Sequence, residues 1–134
     1  MGERSPETLV VTEANRDAAL LLANWRAWPG GALALIGPPG AGKTHLALAW
    51  AVEHGAKLLD PQAPAEAAID AFEAGGGRVV VDGADGPHDD FTLIRLLDLA
   101  RSRNGAALLV GTVPPSRWSA QVPDLASRLA ALAV

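Results

Sequence analysis

The chain has 134 residues, 49% of them hydrophobic, a net charge of −4 and no cysteine. This length suits a single domain, residues 1–134, and the lack of cysteine excludes disulfides and thiolate metal sites and fits a reducing compartment. The acidic balance argues against a broad nucleic-acid footprint, so direct DNA binding is not expected.

No apolar run reaches the roughly 18 residues that cross a bilayer, and MGERSPETLV lacks the basic-then-apolar layout of a secretion signal. The expectation is a cytoplasmic protein without membrane contact, with residues 1–9 as a flexible tail. Residues 13–26 then read as a helix, because Ala18, Leu21, Leu22 and Trp25 share one face, and WPGG stops it. ALALIG, 32–37, is an apolar run bounded by glycines, as expected of a strand buried on both faces. Residues 43–54 form the next helix, with Gly55 as its C-terminal cap, and AKLLD, 56–60, is a weaker strand.

Residues 64–74 place Ala65, Ala68, Ile69 and Phe72 at helical spacing, with Pro64 in the first turn. RVVVD, 78–82, is a second strongly apolar strand. In residues 89–103 acids open and arginines close a helix, in keeping with its dipole. AALLVG, 106–111, is another buried strand, a proline-rich loop follows, a short helix starts at Pro123, and ALAV ends the chain. Alternating strands and helices predict an α/β, three-layer αβα core with a five-stranded parallel sheet, whose ligands sit beyond the carboxyl ends of the strands.

Gly37, four residues, Gly42, Lys43 and Thr44 satisfy G-x-x-x-x-G-K-[ST] in full, between a predicted strand and a predicted helix. In that phosphate-binding loop, spanning Gly37, Pro38, Pro39, Gly40, Ala41, Gly42, Lys43 and Thr44, curled backbone N–H groups and the positive helix end face a phosphate. Lys43 is assigned to the β and γ oxygens and Thr44 to Mg2+. The alternative, a glycine-rich turn that binds nothing, leaves Lys43 and Thr44 unexplained. Asp82, closing RVVVD, is placed to hold the same Mg2+ through water; its alternative is a strand cap.

VTEANRDAA (11–19), GPPGAGKTHLA (37–47), VVVDGAD (79–85) and PPSRW with VPDLASRL (114–129) together resemble the Hda/HdaA family. These are DnaA-related AAA+ proteins that carry out regulatory inactivation of the replication initiator DnaA. The resemblance covers nearly the whole chain, and GKTHL and PDLASRL are its most telling pieces. It implies a P-loop NTPase core of the AAA+ type with ADP or ATP at Gly40 to His45, and with Val11 and its neighbours close to the adenine. It places Thr112, beside Gly111, at the sensor position, and makes Arg128 an arginine finger for a nucleotide held by a neighbouring protein.

AAA+ ATPases usually carry a second acid after the magnesium-binding aspartate, where this chain has Gly83. Hydrolysis by the chain alone is therefore expected to be slow, with Asp85 a substitute if the loop turns it inward. The expected role is to promote hydrolysis of DnaA-bound ATP and so restrain chromosome replication. The family also engages the DNA polymerase sliding clamp, but its glutamine-and-leucine motif is not found in MGERSPETLV, and no helical lid follows before Val134. Assembly with further copies of the chain is left open.

His45, His54 and His88 are too scattered for a metal site; His45 falls beside the nucleotide and the other two are expected in solvent. Trp25 and Trp50 are core positions, whereas Trp28 and Trp118 lie near turns and are candidates for a partner surface. Arg95, Arg101 and Arg103 read as a solvated helix face. Two alternative functions remain. A helicase-loader-type ATPase would bind single-stranded DNA and a replicative helicase, and a small-molecule P-loop kinase would need a mobile arginine-bearing lid.

Overall fold

A computed structural model describes residues 13–38 and 42–132. Helix α1 spans Glu13–Ala23, and two 3-10 turns, Trp25–Ala27 and Pro29–Gly31, lead into strand β1, Ala32–Ile36. The first helix thus stops short of residue 26. Asn24 already leaves helical backbone, with φ −97 and ψ 35, and Pro29 then holds Trp28 extended, with φ −62 and ψ 129.

Helix α2 (Lys43–His54), strand β2 (Lys57–Leu58), helix α3 (Ala65–Ala74), strand β3 (Arg78–Asp82), helix α4 (Asp90–Ser102), strand β4 (Ala106–Gly111) and helix α5 (Pro123–Ala130) follow. Four strands pair in the order β1-β4-β3-β2, all in parallel. The sheet therefore has four strands among the described residues where five were expected. At the C-terminal end Ala131 caps α5, and residues 133–134 lie outside the described ones. β2 is short because AKLLD contributes only Lys57 and Leu58, paired with Val79 and Val80.

Successive residues of the central strands feed opposite faces, as the pleat requires. Ala32, Ala34, Val79, Val81, Ala107 and Leu109 pack with Phe72, Leu93, Leu96, Leu125 and Leu129 of α3, α4 and α5. Leu33, Leu35, Val80, Leu108 and Val110 pack on the other side with Leu22, Leu46, Ala47 and Trp50 of α1 and α2. Both faces of the sheet are covered, which explains why β1, β3 and β4 are runs of apolar residues rather than alternating ones.

Trp28 and Trp118, expected near a partner surface, are buried instead. Trp28 stacks on Trp50 at 5.4 Å and Trp25 meets Trp50 edge-on at 6.3 Å, so the WPGG turn folds its indole back against α2. Each buried indole N–H finds an acceptor: Trp28 Nε1 donates to Leu21 O, Trp50 Nε1 to Leu22 O and Trp118 Nε1 to Val113 O. His54 packs on the rings of Trp25 and Trp50 rather than standing in solvent, and Arg78 Nε donates to its carbonyl.

His88 is also buried, with 3% of its side chain exposed, against the expectation of a solvated residue. Its Nδ1 lies 2.9 Å from Gly86 O and its Nε2 3.0 Å from Asp90 Oδ1. The other oxygen of Asp90 accepts from the N–H groups of Gln121 and Val122, and so ties the start of α4 to the start of α5. Asp89 caps α4 by accepting from Phe91 N and Thr92 N. Replacing Asp89 by Ala is expected to lower the unfolding free energy by about 1 kcal/mol. Trp50→Ala, which empties the α1/α2 side of the core, is expected to cost about 3–5 kcal/mol. Urea unfolding followed by circular dichroism checks both, and equal losses would contradict this division between cap and core.

Candidate functional site

The end of β1 leads into Gly37 and Pro38, and Gly42 opens α2. Gly37 N donates to Gly111 O, so the chain leaves the sheet beside the end of β4. Gly42, at the N-cap of α2, has φ 84 and ψ 5, a left-handed backbone that a residue with a Cβ adopts only at a cost of roughly 1–2 kcal/mol. Among the described residues no side chain caps this helix, so its first N–H groups are free of side-chain acceptors, the arrangement that favours an anion.

Lys43 is buried, with 9% exposure, and its Nζ donates to Pro38 O at 3.1 Å. No carboxylate lies within ion-pair distance of it among the described residues. A buried ammonium without an anionic partner is costly, and an anion at the N-terminus of α2 would offset that cost. The next side chain, Thr44, is exposed, and its Oγ1 lies 3.5 Å from Asp82 Oδ1 at the end of β3. That separation is too long for a strong hydrogen bond. A hydroxyl and a carboxylate side by side are hard-oxygen donors of the kind that hold Mg2+ beside phosphates.

The structure places Gly37, Pro38, Gly42, Lys43, Thr44 and Asp82 around one edge of the sheet, whereas Pro39, Gly40, Ala41 and Val11 lie outside the described residues. His45 stands next to Thr44, half-buried, and its Nε2 has no hydrogen-bond partner among the described residues. No group of three or more potential metal ligands clusters elsewhere among them.

Beyond Asp82 the chain turns through Gly83, φ 74, and Ala84 is fully buried, its N–H donating to Val110 O. This anchor swings Asp85 to the end of β4, where Asp85 Oδ2 accepts from Thr112 N at 2.7 Å and from Thr112 Oγ1 at 2.6 Å. Partial burial works to raise the Asp85 carboxyl, but the hydrogen bonds from the Thr112 hydroxyl and N–H and from its own backbone, together with the Lys43 charge, outweigh it. The net effect holds Asp85 below its usual value. The Asp85–Thr112 bond is the part of the site that sequence reasoning did not reach; its only signal is the spacing of DGAD after an apolar strand.

Arg128 does not join these groups. It lines a cavity of about 60 Å³ with Pro29, Gly30, Ala32 and Arg101, beside the first residue of β1, whereas the phosphate loop follows its last. Such a cavity is small for any ligand of nucleotide size. Arg128 Nη1 pairs with Asp98 at 2.7 Å and its Nε with Asp124 at 3.0 Å. Burial opposes the guanidinium charge, yet Asp124 and Asp98 outweigh it and raise the group above its ordinary value. Arg95, Arg101 and Arg103 are exposed, as their helix-face spacing suggested.

No family model matches the chain, and no curated protein matches it. Solved structures of DnaA share its fold. Replication initiator DnaA bound to AMPPCP and single-stranded DNA superposes with a TM-score of 0.66 at 17% identity, over 96% of this chain and 48% of that one. AMPPCP-bound DnaA from Aquifex aeolicus gives 0.67 at 16% identity, over 94% and 47%. Domain III of the Thermotoga maritima replication initiation protein DnaA gives 0.63 at 17% identity, over 93% and 62%.

The chain has the fold of these DnaA structures. It spans about half the length of the two AMPPCP-bound DnaA chains. No helix among the described residues is long and apolar enough to cross a membrane.

The lowered Asp85 carboxyl has a consequence for stability. A depressed acid stabilises the fold above its unfolded value, about 3.9, and loses that contribution as pH falls through the folded value. The stability difference between the wild type and Asp85→Asn is thus expected to be present at neutral pH and to shrink below about pH 4. Urea midpoints measured across that range check this, and a constant difference would contradict the Thr112 pairing.

Proposed function

We propose that the chain binds ADP or ATP with Mg2+ at residues 37–44 and acts as a DnaA-related regulator of the Hda type. In this reading it presents Arg128 to ATP held by DnaA, promotes hydrolysis there, and so restrains initiation of chromosome replication. The observation that carries the reading is the separation within one chain between Lys43, Thr44 and Asp82 at the carboxyl ends of the strands and Arg128 beside the start of β1. An arginine so placed has no access to phosphates on its own loop. Its natural target is a phosphate brought by a second molecule.

The nucleotide half of the proposal draws on Lys43. Its buried, under-compensated charge and the uncapped start of α2 suit a di- or triphosphate, with Gly37 to Thr44 wrapped around it and Val11 and His45 nearby. Thr44 and Asp82 would hold the ion, which when bound neutralises charge on the β and γ oxygens. The regulatory half draws on Arg128. Its acid partners are about half exposed, at 51% for Asp98 and 55% for Asp124. Exposed pairs of this kind are worth about 0–1 kcal/mol, so a triphosphate can displace them. A guanidinium set against a γ-phosphate contributes on the order of 10³ or more in rate.

Two measurements test the halves separately. Calorimetric titration with ADP, ATP and Mg2+ is expected to show binding that weakens by at least about tenfold in Lys43→Ala, in line with loss of a charge-assisted phosphate contact. Arg128→Ala is expected to bind nucleotide like the wild type while the rate of ATP hydrolysis by added DnaA falls back to its unstimulated value. Undiminished stimulation by Arg128→Ala would refute the regulatory role.

A further inference from the structure

We propose that the amino end of the sheet carries a ligand site of its own, in which Arg26 and Arg101 hold the phosphate group of a small organic phosphate. The site is separate from the loop 37–44 and does not depend on the nucleotide-binding reading. Its starting point is a cavity of about 360 Å³ bordered by Trp25, Arg26, Trp28, Arg101 and Asn104, a volume within the range of small-molecule sites. The cavity lies beside the start of β1, at the other end of that strand from Gly37.

The main chain shapes this cavity with little room to spare. Gly31 closes against the end of α4: a Cβ there would lie 2.6 Å from Ala100 O and 2.7 Å from Gly105 O, so no larger residue fits. A Cβ on Gly30 would lie 3.0 Å from Arg101 Nη2, so that guanidinium rests against bare main chain. Asn104, in the turn between α4 and β4, has φ 54 and is the only residue other than glycine with a positive φ among the described ones. Asparagine takes this left-handed turn more readily than most residues, and here it also brings a carboxamide to the border of the cavity.

Charge decides what the cavity takes. The Arg26 guanidinium lies 4.3 Å from the centre of the Trp25 ring, and Arg78 approaches the same ring at 5.5 Å. Neither Arg26 nor Arg101 has a carboxylate within ion-pair distance among the described residues, and no acid borders the cavity. Arg103 and Arg128, by contrast, each pair with acids. In a chain of net charge −4, two guanidiniums left without acids on one cavity make a local positive field that draws an anion.

The donors suit one kind of anion. A guanidinium only donates, in a planar fork that matches two oxygens at once. One fork fills a carboxylate, whereas a phosphate monoester has three terminal oxygens and can take both. Asn104 adds an amide that donates or accepts. Trp25, Trp28 and Ala100 supply an apolar wall beside the forks, which favours a phosphate carried on an organic group over the bare ion.

The test is an amide-resolved NMR titration of the full chain with phenyl phosphate, run beside inorganic phosphate and benzoate. Phenyl phosphate is expected to shift the amides of Gly30, Gly31, Asn104 and Gly105 along a saturable curve. Inorganic phosphate, which has no ring for the indole wall, is expected to bind there at least about threefold more weakly, and benzoate, which occupies only one fork, at least about tenfold more weakly. Arg26→Gln and Arg101→Gln, both at exposed positions, are each expected to weaken phenyl phosphate by about tenfold at these four amides. Arg101→Lys, which keeps the charge and loses the fork, is expected to recover only part of the affinity. Lys43→Ala is expected to respond at the four amides like the wild type, since its loop is at the far end of β1. Amides that do not respond, or respond without saturating, would overturn the proposal. Equal affinity for benzoate, wild-type affinity in both glutamine variants, or loss of the response in Lys43→Ala would overturn it as well.

Discussion

Parallel pairing of β1, β4 and β3 is the constraint from which the rest of the molecule follows. Their register, from Ala32 beside Ala107 to Ile36 beside Gly111 and from Arg78 beside Ala106 to Asp82 beside Val110, makes all three strands end at one edge. Strands buried on both faces have no room for polar side chains, so the polar groups collect where the strands stop. Gly37, Asp82 and Thr112 are each the first or last residue at such an end. The same pairing sends α2 away from that edge with its N-terminus facing it, so the positive helix end and the carboxylates come together without any further device.

Much of this was legible because apolar runs and helix caps are local signals. ALALIG, RVVVD and AALLVG name the three central strands, and the structure differs from these boundaries by at most one residue. Lys43, Gly55 and Asp89 likewise mark helix ends that the structure keeps. What was illegible depends on contacts between distant segments. Trp28 precedes Pro29 and Trp118 closes PPSRW, so both read as turn residues, yet each indole finds a core and a carbonyl acceptor. His88 lies in a polar loop, and its partner Asp90 is held by backbone N–H groups more than 30 residues away.

The candidate site divides in the same way. Gly37, Gly42, Lys43 and Thr44 are contiguous, so their spacing alone brings them together. Thr44 meets Asp82 across 38 residues of chain, a pairing that follows once β1 and β3 are known to run in parallel. The bond from Thr112 to Asp85 needed more, because it depends on a left-handed glycine and a buried alanine that no periodicity reveals. Arg128 is the limiting case. Its helix was foreseen, but its distance from the phosphate loop and its bonds to Asp98 and Asp124 are properties of the assembled fold.

The tryptophans are distributed unevenly, and this gives the protein an optical asymmetry. Trp25, Trp28 and Trp50 crowd together on the α1/α2 side of the sheet. Trp118 stands alone on the other face, its Cζ2 3.0 Å from where a Cβ on Gly111 would be and its Nε1 held by Val113 O. Its indole thus meets the residues that precede and follow Thr112 in sequence. The emission of a chain in which the other three rings are replaced by phenylalanine would report on the strand end beside the candidate site and on the core face on which Trp118 packs.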